Sequence, residues 1–70
     1  MAITYSVNLG GDKLETTWNG SVFVGSNGQQ FSTKKAAMES EIVAYYLAGQ
    51  QEISADEMRD ILATIQRDEK

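Results

Sequence analysis

Cysteine and histidine are both absent from the 70 residues. Without thiols there is no disulfide and no thiolate nucleophile, and without imidazole the commonest general base and zinc ligand are missing. What remains for chemistry is carboxylate, lysine, tyrosine or serine. A paired-carboxylate site needs two acids facing each other across a cleft, for which so small a domain has little room. The expectation is a chain that is not an enzyme, with no cofactor and no metal. No segment approaches the run of about 18 apolar residues that spans a bilayer, and Met1 to Tyr5 is not a basic stretch followed by an apolar one. A cytoplasmic protein is expected. Excess positive charge is lacking too: the net charge is −4, a poor footprint for nucleic acid.

The phosphate-binding patterns G-x-x-x-x-G-K-[ST] and G-x-G-x-x-G are missing, so Gly25-Ser26-Asn27-Gly28 reads as a turn. Asp56, Glu57 and Asp60 lack the Asp-x-Asp-x-Asp-Gly loop that wraps calcium. They read instead as charge compensation for a helix N-terminus, with Arg59 as a partner. Asn19-Gly20-Ser21 matches a glycosylation acceptor, but without a secretion signal it too reads as a turn.

What is present is a well-punctuated pattern. Ile3, Tyr5, Val7 and Leu9 alternate with Thr4, Ser6 and Asn8, which predicts a half-buried strand over 3–9. Gly10-Gly11 ends it, and a second strand is predicted over 13–18. Asn19-Gly20 is a strong hairpin signal because a type I′ turn needs positive φ at both central residues. A third strand follows over 21–25. Asn27-Gly28 suggests a reversal into a fourth over 29–31. If Asn19-Gly20 closes a two-residue hairpin, Trp18 lies opposite Ser21 and Thr16 opposite Phe23. Trp18 and Phe23 then share the core face with Ile3, Tyr5, Val7, Leu9 and Leu14. The reverse face would expose Val22, Val24 and Phe31 among threonines and serines, a candidate interface.

After Phe31 the apolar period changes from two to about 3.6. A helix capped by Ser32 or Thr33 is predicted over 34–48, with Met38, Ile42, Tyr45 and Tyr46 inward and Gly49 as its stop. Ser54-Ala55-Asp56-Glu57 forms a capping box, and Ile53 can staple to Met58. Met58, Ile61, Leu62 and Ile65 then predict a second helix over 55–67. The expected fold is α+β: an antiparallel β-meander of three or four strands, then an α-helical hairpin packed on one face of the sheet.

A core this small is marginal, and binding to a partner or to a second copy is the support left to it. The helical half is acidic, and its outward face would present Glu52, Asp56 and Asp60 to a partner with a basic surface. A stand-alone chain of this size, free of Cys, His and Pro, with such an acidic face, resembles the small inhibitors encoded by phages and mobile elements, of the anti-CRISPR and DNA-mimic type. That resemblance implies stoichiometric binding to a host nucleoprotein or enzyme. The departure is the modest charge, since DNA mimics are usually more acidic. The leading expectation is therefore a non-enzymatic protein-binding domain that uses Glu52, Asp56 and Asp60, or the patch around Val22 and Val24. The alternatives are a homodimer or larger homo-oligomer, paired through the sheet face or through an edge strand at Ile3 to Leu9, and a weak binder of single-stranded nucleic acid stacking bases on Trp18 and Phe23.

Overall fold

The computed structural model describes residues 2–69. Alternation in the first eighteen residues produces a long hairpin: strand β1 spans Ile3–Leu9 and strand β2 spans Asp12–Trp18. Leu9 pairs with Asp12, so Gly10-Gly11 is a two-residue turn. Both glycines have positive φ, at 57° and 87°, as a type I′ connection demands.

The next hairpin departs from expectation while keeping its side-chain parity. Trp18 pairs with Phe23 and Thr17 with Val24, which leaves Asn19 to Val22 as the loop. Strand β3 is therefore only Phe23–Val24. The Asn19 side chain explains the longer loop, because its Oδ1 accepts from the backbone N–H of Ser21 at 2.9 Å and of Val22 at 3.0 Å. That Asx turn offers the chain a reversal that competes with the two-residue one. Lengthening by two residues preserves the faces, so Trp18 and Phe23 still lie on one side. Strand β4, Gln30–Phe31, pairs with β3 with Phe31 opposite Phe23. Phe31 thus joins the core face and not the reverse face where the sequence pattern placed it.

Helix α1, Lys34–Ala48, begins at the Thr33 cap, whose Oγ1 accepts from Ala36 N–H at 3.1 Å. It ends where predicted, with Gly49 as its C-cap, but the left-handed residue is the one after. Gly49 sits at φ −89°, and Gln50 adopts the left-handed conformation at φ 58°. Gln51 N–H donates to Tyr46 O at 2.8 Å and Gln50 N–H to Leu47 O at 2.9 Å, the bond pair of a Schellman cap.

Helix α2, Ala55–Leu62, starts where the capping box places it, with Ser54 Oγ accepting from Glu57 N–H at 3.1 Å. It ends well short of the predicted Arg67. Thr64 and Ile65 donate back to Ile61 O and Leu62 O in tightened turns, and the Thr64 hydroxyl also donates to Ile61 O at 2.7 Å. The chain then extends into strand β5, Gln66–Glu69, antiparallel to β1. Nothing in Gln66-Arg67-Asp68-Glu69 favours a strand locally. Tertiary pairing overrides local preference, because β1 offers a row of backbone donors and acceptors that need partners.

The α+β architecture thus holds a five-stranded antiparallel sheet in the order β4-β3-β2-β1-β5. β5 pairs with Ile3 to Ser6, so β1 is not the edge strand expected over Ile3 to Leu9; the edge strands are β4 and β5. α1 packs on the side bearing Val7, and Val7, Met38 and Ile42 are buried at its centre. Leu9, Leu14, Tyr46, Ile53, Met58, Ile61, Leu62 and Ile65 close around them, each half-buried.

Candidate functional site

Only four apolar residues, Val7, Ala37, Met38 and Ile42, are fully buried among the described residues. Fully burying a large apolar side chain contributes about 1.5–3 kcal/mol, so the molecule rests on few such contributions. α2 contributes none of them; its apolar face is only half-covered.

The uncovered part of that face forms the floor of an open groove of about 580 Å³ between the first turns of α1 and the length of α2. Met58, Leu62 and Ile65 supply apolar floor, while Lys34, Lys35 and Arg59 stand around it. All three cations are exposed, so the groove opens to solvent. Lys34 Nζ lies 5.0 Å from the centre of the Tyr5 ring, a cation–π placement. Lys35 pairs with Glu39 at 3.8 Å, and Arg59 reaches Asp56 at 3.5 Å and Asp60 at 3.9 Å. These are solvent-exposed pairs, each of little energetic weight and free to exchange partners. Arg67 stands opposite Tyr5 on β5, on the same side of the sheet.

The predicted acidic surface is therefore compensated more than the sequence suggests. Asp56 and Asp60 share Arg59, and Glu52 lies apart in the link before α2, exposed beside a shallow groove at Val43 and Leu47. Glu39 pairs with Lys35, and Asp68 with Lys13 at 3.6 Å across the reverse face. Glu41 points back to the sheet: its carboxylate accepts from the Ser26 N–H and, at 2.8 Å, from the Ser26 hydroxyl, fastening the β3–β4 turn to α1. Glu57 accepts from the Tyr46 hydroxyl at 3.5 Å.

Val22 and Val24 are half-buried, so the expected exposed patch is not there. The pairing puts Val24 beside Thr17 on a reverse face that otherwise carries Thr4, Asn8, Lys13, Glu15, Gln66 and Asp68. Among the described residues, the exposed large apolar ones are instead Val43 and Leu47, 39% and 63% exposed on the outer side of α1. Sequence periodicity hints at them, because the apolar surface of α1 is wider than one sheet contact requires.

Trp18 and Phe23 lie against one another. Their ring centres are 4.7 Å apart and Phe23 lies 5.9 Å from Tyr5, so the rings are half-buried against one another. At the other end of the sheet the Tyr45 hydroxyl donates to Leu9 O at 3.1 Å. A Cβ on Gly10 would come within 2.9 Å of that hydroxyl, so a larger residue there would push the Tyr45 hydroxyl aside in addition to straining the positive φ. The neighbouring Asp12 carboxylate, with burial second, raises the Tyr45 phenol above its ordinary 10.0.

No helix among the described residues is long and apolar enough to cross a membrane. Among the same residues, no three potential ligands converge to hold a metal ion. Compared with known protein families, curated proteins and solved structures, the chain matches none.

Proposed function

We propose that this chain is a non-enzymatic protein-binding domain of the cytoplasm whose partner covers the groove between α1 and α2. The observation that carries the reading is the unfinished burial of α2: Met58, Leu62 and Ile65 line an open groove while no residue of that helix is fully buried. Apolar surface left at a helix pair in a domain with so small a core is stabilised when a second molecule removes it from water. The resemblance to small phage and mobile-element inhibitors adds a biological form, stoichiometric inhibition of a host nucleoprotein or enzyme.

The test is affinity capture from cells of the source organism with the intact tagged protein, compared with Ala63→Glu and with the double reversal Asp56→Lys, Asp60→Lys. One partner, captured stoichiometrically by the wild type and lost with Ala63→Glu at the groove, supports the reading. Loss only with the double reversal moves the contact to the acidic outer face. Absence of any stoichiometric partner overturns it.

Homo-oligomerisation is the second reading, favoured by the exposure of Val43 and Leu47. Sedimentation over a wide concentration range decides it: a strict monomer at the highest concentration ends it.

A further inference from the structure

The groove between α1 and α2 gathers cations in an acidic protein, with Glu39 as the one carboxylate among its lining residues. Of its six lysines and arginines, Lys34, Lys35 and Arg59 line this single groove. We infer that its occupant is an acidic segment of the partner protein, carrying a leucine, phenylalanine or tryptophan that seats on Met58, Leu62 and Ile65 while flanking carboxylates meet the three cations. The inference rests on the protein-binding reading and names the chemistry of the partner.

Three features select this occupant. First, the floor is apolar and the lining carries Lys34, Lys35 and Arg59 against the single carboxylate of Glu39, which suits an apolar anchor between carboxylates. Second, a groove whose cations, with Ala55 and Ala63, all stand exposed cannot enclose most of a small ligand as a closed pocket does, whereas a peptide needs one side covered. Third, the carboxylates of Glu39, Asp56 and Asp60 stand beside the cations. They show how a carboxylate seats against these cations, while a net charge of −4 leaves a weak footprint for the continuous phosphate row of a nucleic acid. Lys35 and Arg59 already hold carboxylates at 3.5–3.9 Å, so a partner's acids would replace intramolecular ones at exposed positions and desolvate little.

The experiment is a random-peptide display selection on the intact protein at low salt, followed by fluorescence anisotropy on the synthesised consensus. Enrichment of aspartate or glutamate next to a large apolar residue is expected. The consensus should bind the variant Lys35→Gln, Arg59→Gln at least about tenfold more weakly, and weaken several-fold between about 50 and about 300 mM salt. Ala63→Glu, which sets a carboxylate at the exposed margin, should abolish binding. Circular dichroism and melting verify that each variant is folded; if Ala63→Glu is not, the charge-removal variant decides alone.

The inference is overturned by each of the following: enrichment of basic or uncharged peptides, no enrichment, affinity within about twofold in the charge-removal variant, or tighter binding of an oligothymidylate or a fatty acid than of the consensus. If a cellular partner is captured but is indifferent to Lys35 and Arg59, the protein-binding reading survives and this inference fails.

Discussion

Exchange of Gln50 for glycine should stabilise the protein, against the usual direction of glycine substitutions. Gln50 closes α1 at φ 58°, where a side chain with a Cβ costs about 1–2 kcal/mol. Glycine removes that strain but widens the unfolded ensemble, which offsets about 0.4–1 kcal/mol. The net gain expected is about 0.5–1 kcal/mol. With a urea m-value of about 1 kcal/mol/M for so small a chain, the midpoint should rise by about 0.5–1 M with m unchanged. Melting should shift upward by about 2–8 °C. The companion variant is Gly49→Ala. Gly49 has φ −89° and ψ 7°, and an added Cβ would meet only the Tyr46 and Tyr45 carbonyl oxygens, at 3.6 and 3.9 Å. Those are ordinary contacts, so alanine should be tolerated or stabilise by up to about 1 kcal/mol. A helix stopped by a left-handed Gly49 would behave in the opposite way. A fall in midpoint for Gly49→Ala, with no rise for Gln50→Gly, would refute the cap geometry and the reasoning from it.

Wild type should lose stability relative to Tyr45→Phe as pH rises above 10. The raised phenol means that the unfolded chain releases its proton first, so the contribution is complete below that pH and disappears as the folded phenol ionises; parallel denaturation curves for the two proteins would contradict this. Met38→Ala empties a fully buried position and should cost about 2–5 kcal/mol, a large share of the total for a domain of this size. Most of the far-ultraviolet dichroism should be lost well below the wild-type melting temperature, and a midpoint within experimental error of wild type would refute the assigned core. Ser6 is 1% exposed, and its buried hydroxyl has no hydrogen-bond partner among the described residues. Ser6→Ala should therefore be neutral or stabilise by up to about 1 kcal/mol, and a loss above that in urea denaturation would reveal a bonded hydroxyl.

Patterns that act within a few residues are legible in the amino-acid order. Period-two alternation sets the bounds of β1 and puts Trp18 and Phe23 on the core side, because a two-residue change in loop length does not alter which way a side chain points. The changed period and the caps at Thr33 and Ser54 place the starts of both helices, since a hydroxyl accepting from an N–H three residues on is a local interaction. Expectation and structure part where two local solutions compete. Asn19 can close a type I′ turn or an Asx turn, and Gly49 or Gln50 can take the left-handed position. The adjacent β-branched Thr64 and Ile65 are the available sign that α2 stops early.

The candidate site is less legible. The carboxylates at Glu52, Asp56 and Asp60 are correctly placed on the outside, but sequence order cannot tell which cation a carboxylate will face. Lys34 and Lys35 precede Arg59 by more than twenty residues, and no period relates them. They border one groove because α2 folds back beside the first turns of α1. Likewise alternation alone assigns Val22 and Val24 to the open face, whereas their exposure depends on a loop and a neighbouring strand.

By itself the sequence determined the class of fold, the extent of the first hairpin, the starts of the helices and the chemistry denied to a chain without cysteine or histidine, all from composition and interactions spanning a few residues. Only the tertiary structure decided that a polar tail becomes β5, that β1 is interior, and that an acidic chain gathers three of its cations around a half-buried apolar floor. Those outcomes depend on contacts between segments far apart in the chain, where the energy of pairing and packing overrules what each segment would prefer alone.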